Sequence, residues 1–302
     1  MKHLLKLSDL SDQEIVQLLD LADQLKYEQK HGIDHPYLKG KSIGLIFQKS
    51  STRTRVSFET GMYQLGGQAL FLSSRDLQIG RGEPVQDTAR VLSRYLDGIM
   101  IRTYEQQEVE DLASYGSIPV INGLTDYCHP CQVLADLMTI REHYGSLAGL
   151  KMAYVGDGNN MANSLIVGAL KSGMSMAMAT PADYRPAEDV MEFAEGYGDK
   201  FHWTTDPVQA VTDADVVITD TWASMGQEEE KEARKKIFAG YQVNKDLMSH
   251  AREGAMVLHC LPAYREQEIT EEVFEAHAAE IFEEAENRLH AQKAVMVTLM
   301  KD

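Results

Sequence analysis

Cysteine is scarce in this chain: 3 residues among 302, at Cys128, Cys131 and Cys260. An odd count with two of the three close together does not make a disulfide framework, and a reducing, cytoplasmic setting is expected. Long apolar runs are missing as well. No stretch approaches the roughly 18 residues that a membrane span needs, so no membrane partner is expected. The opening MKHLLKLSDLSDQE turns acidic before any extended apolar segment, and it does not read as a signal peptide. Basic residues fall short: 29 Lys and Arg stand against 46 Asp and Glu, giving a net charge of −17. A phosphate backbone needs a basic footprint, so nucleic acid is not an expected partner. Any small anion must therefore be held by a few placed arginines, against the sign of the whole molecule. Repeats, low-complexity tracts and Pro/Gly/Ser linkers do not occur.

What is present is an ordinary globular composition, 44% hydrophobic and 25% charged, in a chain long enough for two domains of about 150 residues. Ser11 and Glu14 have the spacing of a capping box ahead of IVQLLDLADQL. After Gly40 the pattern alternates. Strand-like runs SIGLIF (42–47), QALFLS (68–73), GIMIRT (98–103) and one around 118–124 are separated by helical stretches starting near Arg53, Pro84 and Gln106. CQVLADLMTIREHYG reads as a helix, and the alternation resumes at 151–156, 174–179, 201–205, 216–220 and 255–260. Strands alternating with helices predict parallel sheets covered on both faces. The expected fold is α/β, with two doubly wound parallel-sheet domains, residues 1–142 and 143–284, joined by helices. A last helix, about 285–302, packs back on the first domain.

Ligands of such sheets lie beyond the carboxyl ends of the strands. There, Ser51, Thr52, Arg53, Thr54 and Arg55 follow the first strand and open a helix. Helix-terminal amides, hydroxyls and a guanidinium fork suit an anion; a helix cap beside a solvated Arg55–Glu59 pair fits the same letters. Arg102 ends a buried strand, pointing at the crevice or capping a carboxylate. DYCHPCQ (126–132) places His129 before Pro130 and Gln132 in the first turn of a helix. Its cysteines lack a fourth ligand at zinc spacing, so no metal is expected. VGDGNNMANS (155–164) has Gly156 and Gly158 but Met161 where a dinucleotide fingerprint needs a third glycine, which weakens a nicotinamide reading. Asn159, Asn160 and Asn163 are amide donors at a helix start, or Asn159 is simply a cap. Asp220 ends a strand ahead of Ser224 and Met225, and is either an ammonium ligand or a turn residue. Cys260 follows the last strand in HCLP. Arg288, near the terminal helix, reads by itself as a surface arginine.

Together these stretches resemble the carbamoyltransferase family, and its ornithine branch closely. STRTR (51–55), HPCQ (129–132), DxxxSMG (220–226) and HCLP (259–262) carry the resemblance, with DLQIGRGEP (76–84), GDGNN (156–160) and ENRLHAQKA (286–294) beside them. The resemblance implies that Ser51, Thr52, Arg53, Thr54 and Arg102 hold the phosphate of carbamoyl phosphate, with Gln78 supplied by a neighbouring subunit of a homotrimer. It implies that Thr54, Arg102 and His129 polarise the carbamoyl oxygen. Gln132, the backbone at Cys260 and Leu261, and Arg288 would bind the carbamoyl amide, with Pro130 and Cys131 in the same binding segment. L-Ornithine would meet Asn160, or else Asn163, with Asp220, Ser224 and Met225. The catalytic candidates are Arg53, Arg102, His129 and Cys260. No cofactor is implied. Another diamine such as putrescine is the enzymatic alternative, though it lacks the α-carboxylate that an asparagine and SMG pairing would serve. A non-catalytic binding subunit is the other alternative, and it predicts damage at His129, Arg102 or Cys260, all of which are intact.

Overall fold

The computed structural model describes residues 1–78, 82–223 and 230–301. It divides into two compact units, Met1–Met138 with Asn287–Asp302, and Thr139–Glu286.

In the first unit β1 (Ser42–Phe47), β2 (Gln68–Ser73), β3 (Gly98–Arg102) and β4 (Val120–Leu124) form a 4-stranded sheet in the order β2-β1-β3-β4. All its pairings are parallel. Parallel neighbours need crossovers, and the helices Thr52–Gln64, Val85–Leu92 and Gln106–Tyr115 supply them. β3 is buried throughout, as a strand covered on both faces should be. β2 differs: it is an edge strand, and Leu70 and Phe71 are exposed. Ile46, Ile99, Ile101, Leu112 and Val120 form part of one core. The first long helix, Asp12–Lys30, starts at the expected capping box: Glu14 N–H donates to Ser11 Oγ (3.2 Å) and Ser11 N–H donates to Glu14 Oε2 (2.8 Å).

The C-terminal helix runs Ala278–Met300, and its residues from Asn287 onward cluster with the first unit. Lys26 Nζ donates to Asn287 Oδ1 (2.8 Å). Two glycines let this helix come close. A Cβ on Gly61 would lie 3.1 Å from both Lys293 Cγ and Met296 Cε, and one on Gly98 would lie 2.9 Å from Met300 Sδ.

The second unit holds β5 (Lys151–Val155), β6 (Ser175–Ala179), β7 (Phe201–Thr204), β8 (Val216–Thr219) and β9 (Met256–His259), ordered β7-β6-β5-β8-β9 and again parallel. Val155, Val217, Val257, Trp222 and Phe238 belong to its core. In each sheet the chain starts near the middle, builds outward on one side, then returns to the other. The strand order therefore switches between β1 and β3, and between β5 and β8. Ligand sites of open α/β sheets form at such switch points.

Candidate active site

At the first switch point, Ser51 is the N-cap of the Thr52–Gln64 helix. Its extended backbone (φ −163°) lets the hydroxyl accept from Thr54 N–H (3.2 Å). The hydroxyl's own hydrogen goes to Thr54 Oγ1 (3.1 Å). Thr52 is exposed and Arg53 half-buried, both in the first turn, where the helix dipole is positive. Arg55 faces elsewhere, donating to Glu59 Oε1 (3.0 Å) and lying over the Phe71 ring at 3.6 Å, which agrees with its expected structural role.

Arg102 ends β3 and is buried. Its carbonyl accepts from Gln48 N–H (2.9 Å), which ties the cradle to β3. The β3–β4 register shifts between Ile101 and Arg102; such irregularities re-aim a side chain. Lys49 is a neighbour that sequence reasoning passed over: it is buried, paired with Asp126, and its ammonium lies 4.3 Å from the Tyr104 ring.

His129 precedes the Pro130–Tyr144 helix, with proline at the first helical position where its missing N–H costs nothing. Gln132 N–H donates to His129 C=O (3.2 Å). Burial, reinforced by the Arg288, Arg102 and Arg53 guanidiniums, holds the imidazole well below its usual range. His129 is thus neutral at pH 7, a hydrogen-bonding group without charge. Burial also pushes the Cys128 and Cys131 thiols up to about 12. Thiols held protonated in this way are poor nucleophiles.

Arg288 overturns its plain reading as a surface arginine. It is 3% exposed, donating through Nη1 to Gln132 Oε1 (2.7 Å) and through Nη2 to Thr54 Oγ1 (3.2 Å). Gln132 donates in turn to Asp136 Oδ1 (2.8 Å), which fixes the direction of its amide. Gln78 is exposed, beyond β2.

The second switch point gathers Asn159, Asp220 and Cys260. Asn159 caps the Asn160–Lys171 helix, accepting from Met161 N–H (2.9 Å) and Ala162 N–H (3.2 Å), and it also donates to Asp220 Oδ2 (3.0 Å). Asp220 Oδ1 accepts from Thr221 N–H (2.7 Å) and the Cys260 thiol (3.1 Å). Asn160 opens the helix half-buried, while Asn163 is buried and its side-chain oxygen takes the Ala187 N–H (2.9 Å). Ser224 and Met225 lie outside the described residues.

Asp220, His259 and Cys260 bring three ligand-type atoms within 4.8 Å of one another. Both His259 nitrogens are already engaged. Leu261 N–H donates to Nδ1 (2.9 Å), so Nε2 carries the hydrogen facing Glu268 Oε1 (3.0 Å). His259 therefore organises the backbone after β9, where Leu261 sits at φ 59°, a conformation that costs a non-glycine residue energy.

A further buried pair was invisible to sequence reasoning. Arg234 donates through Nη1 to Asp157 Oδ2 (2.7 Å) and Trp222 C=O (2.9 Å), and through Nε to Glu230 Oε2 (3.0 Å). Burial pushes the Asp157 carboxyl up to about 6 in spite of Arg234. The separation of 77 residues leaves no local signal. Gly158 also acquires a reason. A Cβ there would meet Tyr184 O at 2.3 Å, so the backbone of 184–186 occupies the approach a pyrophosphate would use in a dinucleotide site.

Two parallel-sheet units with these clusters at their switch points define a carbamoyltransferase architecture. The carbamoyl-P binding domain of aspartate/ornithine carbamoyltransferase matches residues 2–142, and the Asp/Orn binding domain matches 148–299. The chain belongs to the aspartate/ornithine carbamoyltransferase family. Within it, the chain is similar to ornithine carbamoyltransferases: 57% identical to that of Carboxydothermus hydrogenoformans (99% of this chain, 97% of the relative). It is 58% identical to that of Caldicellulosiruptor saccharolyticus (98% of each chain). Among solved structures, the Pyrococcus furiosus ornithine carbamoyltransferase superposes with a TM-score of 0.94 at 52% identity, over 99% of this chain and 97% of that one. The anabolic ornithine carbamoyltransferase of Campylobacter jejuni gives 0.93 at 45%, over 99% of both.

Proposed function

We propose that this chain moves the carbamoyl group of carbamoyl phosphate to the δ-amine of L-ornithine, giving citrulline and phosphate. The observation that carries the reading is the buried chain Arg288–Gln132 and Arg288–Thr54 beside the capped helix start at Ser51. Ser51, Thr52, Arg53 and Arg102 take the phosphate, where the helix dipole and guanidinium forks favour an anion. Thr54, Arg102 and His129 face the carbamoyl oxygen, and Gln132 and Arg288 face its amide, with Pro130 and Cys131 shaping the segment.

The neutral δ-amine attacks the carbamoyl carbon, negative charge grows on the carbonyl oxygen, and the C–O bond to phosphate breaks. Donors fixed toward that charge are worth about 3–4 kcal/mol each. Neutral His129 serves as one of these donors. The proton leaving the amine passes to the departing phosphate.

Asn160 and Asp220 bind the α-carboxylate and α-ammonium, together with Ser224 and Met225. Asp220, held by Asn159 and the Cys260 thiol, already has its carboxylate oriented; Cys260 and Leu261 border it. Putrescine, lacking the α-carboxylate, is the disfavoured acceptor. Gln78, exposed beyond an exposed edge strand, completes the site of a neighbouring copy in a homotrimer. The proposed setting is cytoplasmic, in arginine metabolism; no helix among the described residues is long and apolar enough to cross a membrane.

The deciding experiment is ureido-product formation from carbamoyl phosphate with ornithine, putrescine, N-acetylornithine or aspartate. Ornithine should be preferred strongly, and Arg53→Ala should reduce turnover by two or more orders of magnitude, about 3 kcal/mol or more. Preference for putrescine would overturn the assignment of Asn160 and Asp220.

A further inference from the structure

Two residues in neither cluster close a ring around Arg288. Ser57 stands one turn into the cradle helix, and its hydroxyl lies 2.6 Å from the Arg53 carbonyl and 3.2 Å from that of Thr54. Gln292, one turn beyond Arg288 and fully buried, lies 2.6 Å from the same hydroxyl. A serine hydroxyl has one hydrogen. With that hydrogen on a helix carbonyl, Ser57 must accept from Gln292. The amide nitrogen of Gln292 therefore faces Ser57, and its oxygen faces Arg288, accepting from Nε (3.0 Å) and Nη2 (2.8 Å).

The guanidinium is thus gripped on its Nε–Nη2 edge by Gln292, while Nη2 reaches Thr54 and Nη1 reaches Gln132. Every link runs between buried or half-buried groups. The same helix that forms the phosphate cradle sets the guanidinium plane one turn further on, through Ser57 and Gln292.

We propose that Gln292 and Ser57 are positioning residues for carbamoyl phosphate. They touch no substrate, and they aim Arg288 by orienting its guanidinium. This rests on the reading that Arg288 binds carbamoyl phosphate. The interaction is present in ground and transition states alike, so its loss raises the carbamoyl-phosphate KM and leaves kcat nearly unchanged.

The test measures both KM values, kcat and thermal unfolding for Gln292→Met, Ser57→Ala, the double variant and Arg288→Ala. Gln292→Met keeps the length and removes the amide. It should raise the carbamoyl-phosphate KM about tenfold, the equivalent of losing one or two charge-assisted hydrogen bonds. The ornithine KM and kcat should stay within about twofold, a split that a general loss of structure does not produce. Ser57→Ala should raise the same KM about threefold alone and add nothing to Gln292→Met, because both act through one chain of bonds. If Gln292→Met fails to fold, the selective effect of Ser57→Ala decides. An unchanged carbamoyl-phosphate KM, additive effects, or parallel rises in both KM values with a lowered Tm overturns the proposal. If Arg288→Ala also leaves that KM unchanged, the underlying reading of Arg288 is what has failed.

Discussion

A neutral histidine among guanidiniums has consequences that a titration can read. His129 is held below its usual range first by burial, then by Arg288, Arg102 and Arg53. At pH values between its folded pKa and about 6.5, the unfolded chain binds a proton that the folded chain refuses. Its contribution is present in full above about 6.5 and is lost as pH falls through that window. His129→Asn should therefore lose less stability than the parent between pH 7 and pH 5, measured by urea unfolding at several pH values. Equal slopes would mean that other groups carry the acid sensitivity. The residue type and position of His129 were legible, because HP before a helix is a local pattern. Its charge state was not, since it follows from burial in the folded chain, reinforced by three arginines that stand 27, 76 and 159 positions away in sequence (129−102, 129−53 and 288−129).

At the scale of elements, the C-terminal helix is fastened by an ammonium group rather than by apolar contact alone. Lys293 is fully buried, and its Nζ donates to His35 Nε2 (2.8 Å), Gln29 Oε1 (3.2 Å) and Gln64 Oε1 (3.1 Å). His35 can accept because its Nδ1 hydrogen is spent on the Ile33 carbonyl (2.8 Å). Three neutral acceptors leave the charge without a counter-ion in contact, and burial lowers the Lys293 pKa to about 8. Between pH 8 and about 10.4 the folded state gives up a proton that the unfolded chain keeps, so stability rises with pH in that interval. Lys293→Met removes this titration: its stability relative to the parent should fall as pH is raised from 8 to 10, followed by chemical unfolding. A constant difference across that range would contradict the assignment. Sequence periodicity places this helix but offers no hint of the cage, because QKA reads as an ordinary helix surface.

For the molecule as a whole, the exposed edge strand is the clearest invitation to assembly. A bare edge with Leu70 and Phe71 exposed is an aggregation liability unless another surface covers it. Val56 and Tyr63 on the preceding crossover helix, Thr52–Gln64, are exposed as well, 54% and 80%, which makes the proposed homotrimer interface apolar in character. Leu70→Asp should shift the protein toward monomer in sedimentation and lower activity by separating Gln78 from its partner site. A monomeric parent, or an unshifted variant, would count against that interface.

The sequence by itself determined the parallel α/β architecture, with nine strand runs that recur in the structure, the capping box at Ser11 and the residue types gathered at the strand ends. These are local signals: period, turn chemistry and caps depend on neighbours a few positions away. Tertiary structure alone decided that Arg288 is buried against Gln132 and Thr54, that Asn159 orients Asp220, that Arg234 meets Asp157, and that Gln292 faces Ser57. Each of these joins groups from 61 to 235 positions apart. The reason is physical: burial and hydrogen-bond direction arise only when the sheets bring distant strand ends together, and there a side chain's partner fixes its charge and aim.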